Sequence, residues 1–374
     1  MITKLYSYVG GEWDSKLDKL LDSDNTLVVV FGSSNIEPVK DGFDELVSLF
    51  PNSLIIGCST SGEIYKNELH EKSLSVAVTK FEESKIRLNV IKINGIDSID
   101  VGKKIAKNLN AKNLKSIFIL SDGLNVNGSR LTKGVNEVID SKVIVTGGLA
   151  GDDARFEKTW VVVNREIVSD YVTAVGFYRD SINIGYGSKG GWDRFGIDRK
   201  VTKSTDNILF ELDGKPALEI YKTYLGEQSK NLPSSALLFP LIIKEEGIKE
   251  SKVRTVLAVD EKNQSITFAG DIPEGGKVAF MKANFNNLID GASIAAKKTN
   301  YNSSEPALNI AISCVGRKLV LGQRTEDEIE AVIEELGENV SQIGYYSYGE
   351  ISPLSNGKCD LHNQTMTLTL IWES

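Results

Sequence analysis

The sequence predicts a mixed α/β protein in two domains, built from repeated strand-helix-strand-strand units whose mixed sheets are covered by helices. Three observations carry this. Two stretches, GCSTSGEI at Gly57 to Ile64 and GYYSYGEI at Gly344 to Ile351, read almost alike although most of the chain separates them. Each sits between an amphipathic helical pattern and an alternating strand pattern, in the same order. A third segment around VTGGLAGDD keeps that order, with Gly151-Asp152 in the place of Gly-Glu.

The first unit opens with TLVVVFGSS, a β-branched run stopped by turn residues. In DGFDELVSLF, Phe43, Leu46, Val47 and Phe50 fall on one helical face, with Asp41 placed to cap and Pro51 to terminate. SLIIGCSTSGEI and the half-buried strand SLSVAVTKF follow. The second unit runs SIFILSDGL, the amphipathic LTKGVNEVID, KVIVTGGLAGDD and YVTAVGFY. The region from about Val201 to Thr299 differs, with short strands RTVLAV, SITFAG and KVAFMK before a helix carrying Phe285, Leu288, Ile289 and Ala292. The glycine-dense joint GYGSKGGWDRFG precedes it and marks a domain boundary, giving domains 1–195 and 196–374. Gly185, Gly187 and Gly190 in that joint satisfy G-x-G-x-x-G, but no helical pattern follows to receive a pyrophosphate, so a plain turn is expected.

The third unit has the strand ALNIAISCVGR and the helix TEDEIEAVIEELG, whose apolar face is Ile329, Val332, Ile333 and Leu336. Thr325 and Glu328 form a capping-box pattern and Gly337 closes the helix. SQIGYYSYGEI and TMTLTLIW complete it. HEKSLSVAV from His70 and HNQTMTLTL from His362 also correspond.

Bulk properties exclude several classes. At 374 residues, 41% hydrophobic and 25% charged, the chain has the material for two cores. A net charge of −8 argues against a nucleic-acid partner, because phosphate binding needs clustered bases. No apolar run is long enough to span a membrane, and MITKLYSYVGGEWDSK lacks a secretory pattern, so a cytoplasmic location is expected. Cys58, Cys314 and Cys359, an odd number without paired spacing, fit free thiols.

Catalytic motifs are absent: the chain has neither a P-loop nor a G-x-S-x-G elbow, and only two histidines, His70 and His362. Cys58 at the end of an apolar strand reads as packing before nucleophile. Cys359 and His362 make C-x-x-H without a second pair, although a lone His362 can still ligate haem iron axially. What stands out is the set of Gly-acid turns, Gly62-Glu63, Gly151-Asp152 and Gly349-Glu350, with Gly147 and Gly148 nearby. Glycine leaves backbone N–H groups uncovered and each acid adds an acceptor. A ligand with an ammonium and a carboxylate suits these turns together with Arg317, whose guanidinium grips carboxylates. Tyr345, Tyr346 and Tyr348 occur in one copy alone, which marks that copy as the specialised one.

VTGGLAGDD, NILFELDGKPALEIYKTYLG, SCVGRKLVLG, GYYSYGEISP and HNQTMTLTLI, taken together and in order, resemble the FIST family of sensory modules over nearly the whole chain, as an N-terminal and a C-terminal FIST domain. That resemblance implies a ligand sensor rather than an enzyme, binding small molecules such as amino acids and coupled to a signalling output. One branch of the family consists of haem proteins that sense nitric oxide and regulate a histidine kinase or a cyclic-di-nucleotide enzyme. Since TLIWES ends this chain, the output is expected to pass to a separate protein. The expected ligand site is Gly62, Glu63, Gly147, Gly148, Gly151, Asp152, Arg317, Tyr346, Tyr348, Gly349 and Glu350. The alternatives are a haem sensor ligated by His362 and a thiol enzyme using Cys58.

Overall fold

Runs such as Thr26–Ser33 and Ala307–Cys314 are buried along their whole length, which requires cover on both faces of their sheets. The computed structural model describes residues 1–232, 234–244 and 251–374. In it, three sheets pack around one shared core that includes Phe31, Cys58, Phe118, Leu120, Ile312 and Tyr345. Helices cover the outer faces: Phe43 and Leu46 on the first sheet, Ile105 and Leu131 on the second, Ala295 and Ile329 on the third.

All three units have the same wiring. In the first, Thr26–Ser33, helix Lys40–Leu49 and Leu54–Thr60 make a parallel crossover. The hairpin Glu63–Tyr65 with Glu68–His70 follows, and Leu74–Lys80 returns antiparallel to the opening strand. The second unit repeats this with Leu114–Ser121, helix Gly128–Asn136, Ile144–Leu149, the hairpin Val161–Val163 with Glu166–Val168, and Tyr171–Tyr178. The third uses Ala307–Cys314, helices Val315–Leu321 and Thr325–Leu336, Val340–Ser347, the hairpin Gly349–Pro353 with Cys359–His362, and Met366–Glu373. A leading strand, Ile2–Val9, Lys85–Lys92 or Ile182–Lys189, pairs with the last strand of each.

The hairpins are exchanged in a ring. The first unit's hairpin joins the third sheet, with Glu63 opposite Tyr345; the third's joins the second sheet, with Glu350 opposite Gly148; the second's joins the first sheet, with Val161 opposite Cys58. The recurring glycine follows from this register. Gly57, Gly147 and Gly344 each stand one residue before the opposed position, and a Cβ there would lie 2.2, 1.9 and 1.9 Å from the carbonyl oxygens of Val30, Ile119 and Ala311. The site is closed to any side chain.

Register also corrects the reading of the acids. Glu63 and Glu350 are equivalent, but Val161 holds that position in the second unit, and Asp152 lies in the longer connection before it. The joint GYGSKGGWDRFG is likewise no plain turn. Its first half is the edge strand Ile182–Lys189 and its second begins strand Asp193–Thr205 of an inserted sheet, so the expected boundary at 195/196 falls inside a strand. The glycines admit helix Phe285–Lys298, because a Cβ on Gly187 would come 1.9 Å from the Ala295 carbonyl oxygen. The inserted sheet spans Asp193–Lys282 and packs its own core, including Leu209, Leu218, Tyr221, Phe268 and Phe280.

Two expected caps are absent. Helix Lys40–Leu49 has Val39 at its N-cap, with Asp41 inside the first turn. Thr325 is the first residue of its helix, and the Glu328 carboxylate turns inward to an ion pair instead of back to the cap. Gly337 does terminate that helix, at φ 84°. No helix among the described residues is long and apolar enough to cross a membrane.

Candidate functional site

The two equivalent glutamates are held by the same set of donors. Glu63 accepts from the Thr60 hydroxyl, and from the Ser73 N–H and hydroxyl at 3.1 and 2.7 Å. Glu350 accepts from the Ser347 hydroxyl at 2.8 Å and from the Thr365 N–H and hydroxyl at 3.2 and 2.8 Å. Each carboxyl thus ties the start of an exchanged hairpin to the start of its own unit's last strand. Burial raises their pKa values to about 7 for Glu63 and about 8 for Glu350, against the pull of those donors. Both are acids poised near neutrality.

The corners do converge. Ser61 N–H donates to the Tyr346 carbonyl at 2.8 Å and Gly151 N–H to the Ser59 carbonyl at 2.9 Å, so backbone from all three units interlocks. The space between them is filled. A Cβ on Gly148 would lie 2.6 Å from the Tyr345 hydroxyl, and one on Gly151 2.5 Å from the Ser61 hydroxyl. Asp152 accepts from the N–H groups of Phe156, Glu157 and Lys158 at 2.8 to 2.9 Å and from the Tyr348 hydroxyl, which spends its oxygens on its own loop.

Arg317 is fully buried. Its Nε and Nη2 donate to Glu328 Oε2 at 2.9 and 2.6 Å, Nη2 also to the Leu288 carbonyl at 2.8 Å, and Nη1 to the Gly190 carbonyl. Glu328 Oε1 accepts from Ser313 and Tyr346 at 2.9 and 2.8 Å. The guanidinium therefore locks the third unit's short helix to the glycine joint, and it presents no face to a ligand. Cys58 is wholly enclosed beside Tyr345, and burial pushes its thiol well above the ordinary value, the reverse of what a nucleophile needs.

Open space lies elsewhere. A cleft of about 820 Å³ separates the third sheet from the inserted sheet. One wall is the edge strand from Ile184 to Lys189 with Gly190, Gly191 and Trp192; the others bring Lys252, Met281, Lys298, His362, Thr365 and Trp372. Trp192 Nε1 donates to the Gln364 carbonyl at 2.9 Å, Lys298 Nζ donates to the Ser188 carbonyl at 3.0 Å, and Lys252 pairs with Asp360. Thr365 links this wall to Glu350 directly behind it. Of the expected site residues, none lines the cleft; only His362, the haem alternative, does.

His362 Nε2 meets the Ser352 carbonyl at 3.1 Å, so that nitrogen carries the proton and is committed to the backbone. Burial lowers its pKa and keeps the ring neutral. The walls mix lysines, hydroxyls and glycines with the apolar Ile184, Ile242, Met281 and Trp372, and with its Nε2 proton on the backbone His362 keeps only Nδ1 for a metal. Among the described residues no group of three or more His, Cys, Asp or Glu side chains is placed to hold a metal ion. The lysines and tryptophans of the cleft come from separate stretches, and the joint that contributes Lys189 and Trp192 carried the only sequence signal.

Comparison with known proteins places this geometry. The FIST N domain matches residues 26–215 and the FIST C domain residues 217–353. An uncharacterized protein of Methanocaldococcus jannaschii is 25% identical over 92% of this chain and 73% of its own length. A cyanuric acid hydrolase from A. caulinodans covers 100% of this chain and 99% of its own, at 7% identity and a TM-score of 0.36, too low a likeness to bear on fold or chemistry. With both domain matches in their expected order over most of its length, the chain belongs to the FIST family of sensory signal-transduction domains.

Proposed function

We propose that this chain is a cytoplasmic sensor that binds an amino acid or a similarly small polar metabolite and acts on a separate signalling protein, such as a histidine kinase or a cyclic-di-nucleotide enzyme. The observation that carries this reading is the cleft, whose walls come from two bodies with separate cores, the third unit and the inserted sheet. A solute touching both favours the arrangement in which both walls reach it, by its differential affinity for that arrangement. The contacts that span the two bodies are both polar and apolar: Lys252 with Asp360, Arg254 donating to the Leu361 carbonyl at 3.0 Å, Asn287 donating to Asp193 at 2.6 Å, and Met281 of the inserted sheet packed with Leu288, Val320 and Leu321. The interlocked corners form the rigid frame against which such a change is read.

A thermal-shift screen of amino acids and small metabolites tests this. The expected hit raises Tm in the native protein and in Glu350→Gln, which lies behind the wall, and loses its effect in Tyr186→Ala, which opens the cleft. Hits that ignore Tyr186→Ala but fail with Glu350→Gln place the ligand at the corners and reject the cleft.

A further inference from the structure

The cleft is lined by every residue from Ile184 to Trp192. Successive residues of a strand point to opposite faces, so a space that meets all of them abuts the strand's edge and not one of its faces. Which backbone groups border it follows from the register. Ser374 N–H donates to the Ser181 carbonyl at 3.1 Å, and strand Ile182–Lys189 then runs in unbroken antiparallel register with Met366–Glu373. The backbone groups of Asn183, Gly185, Gly187 and Lys189 are therefore paired within the sheet, and those of Ile184, Tyr186 and Ser188 point away from it. Of the latter, the Ser188 carbonyl accepts from Lys298 Nζ at 3.0 Å. The N–H and C=O of Ile184 and Tyr186, and the N–H of Ser188, have no partner among the described residues. We infer that the cleft takes a short peptide in extended conformation, added to this edge as a further strand. This rests on the proposed sensor reading and names its ligand class.

The open groups recur at every second residue, about 7 Å apart. A free amino acid has main-chain groups for one such step, whereas an extended chain repeats its N–H and C=O at the same interval. This edge is also built unlike the others. Among the described residues the remaining outer strands are short, as Glu166–Val168 and Cys359–His362 are, interrupted by a register shift, as in Val256–Asp260, or charged, as in Lys85–Lys92 with Lys85, Arg87 and Lys92. Such devices keep an edge from pairing. Strand Ile182–Lys189 has eight residues, no register shift, no proline and no charge before its last position. Across from it the inserted sheet leaves about 820 Å³ and offers Ile242, Val253 and Met281 as apolar contacts for alternate side chains of the guest.

A thermal-shift screen of the full chain, followed by calorimetric titration, tests the inference with tetra-alanine, an equimolar pool of mixed-sequence tetrapeptides and the free amino acids as probes. A peptide probe is expected to raise Tm. A single N-methyl group moved along the backbone of tetra-alanine, or of the pool member that binds, should then alternate between loss and tolerance. Binding should weaken roughly tenfold or more where the methylated nitrogen faces the edge and change little where it faces away. Ser188→Pro removes an outward N–H that the sheet does not use, and should weaken peptide binding by a similar factor. Thr367→Val, which removes the hydroxyl partner of the Ser188 side chain and no edge N–H, should leave it unchanged. Methylation that weakens binding at every position alike, or at none, overturns the inference, as does peptide binding that ignores Ser188→Pro. Free amino acids that bind while both peptide probes fail, and that lose their effect in Tyr186→Ala, reject the peptide class and leave the sensor reading standing. Silence from every probe rejects both.

Discussion

Glu63 and Glu350 make the stability of this protein fall as pH rises through neutrality, the reverse of the usual carboxylate contribution. Both are buried and both have folded pKa values above their ordinary 4.5, at about 7 and about 8. Below 4.5 the folded and unfolded chains are equally protonated at these sites. Between 4.5 and the raised values the folded chain holds protons that the unfolded chain has lost, so the stability fully present below 4.5 falls across that interval and the loss is complete once each folded pKa is passed. For the step from about pH 6.5 to about pH 8.5 the loss is about 2 kcal/mol from Glu350 and about 1 from Glu63, or roughly 4 °C in Tm for a chain of this length. His362 does not confound this window, because a lowered histidine pKa costs stability only below its ordinary 6.5. The thiols, raised by burial, act above their ordinary 9.0. Calorimetric melts of the native chain and of Glu63→Gln/Glu350→Gln decide the matter. The native Tm should drop across the window, while the double variant, which imitates the neutral acids, stays level. A native Tm that holds or climbs, or a double variant with the native slope, refutes the assignment of these two protons.

Further outcomes follow from the same packing. Arg317→Met leaves Glu328 buried without its cation and should cost about 3 to 5 kcal/mol, read as a lowered Tm, and Arg317→Met/Glu328→Leu should recover much of it. Gly344→Ala drives a methyl group to within 1.9 Å of the Ala311 carbonyl oxygen. It should therefore abolish soluble expression or lower Tm by more than Gly275→Ala, whose Cβ meets open space at a strained φ of 83°.

Much of the fold was legible because its units repeat. The order of helix and strand patterns around GCSTSGEI, VTGGLAGDD and GYYSYGEI gave three copies, and each is present. Their partners were not legible, since a hairpin such as Glu63–Tyr65 carries no local mark that it pairs with a strand nearly three hundred residues away. That exchange is why Asp152 was aligned with Glu63 and Glu350: spacing along the chain suggested it, whereas register selects Val161. The Thr325 and Glu328 pattern failed for a related reason. A capping box is a local preference, and burial beside Arg317 offers the Glu328 carboxylate a stronger partner. Arg317 itself drew attention as a free guanidinium because sequence shows the residue type and not its five spent donors' surroundings.

The position of the cleft is explained by where the repeat is broken. The first and second units pass from leading strand to core strand through connections of residues 10–25 and 93–113, the second of which holds helix Ser98–Leu109. Only the third interrupts that passage with a complete sheet of its own. A sheet inserted there must stand beside the leading strand, and a leading strand at a sheet edge has no further strand to cover it, so Ile182–Lys189 keeps one side open toward the newcomer. The exchanged hairpin Gly349–Pro353 with Cys359–His362 then closes the far side, bringing His362 and, through Thr365, the carboxyl of Glu350 to the same wall. Thr365 is thus the one hydrogen-bonded step between that wall and Glu350, whereas the equivalent Glu63, in a unit without an insertion, is held in the same way by Ser73.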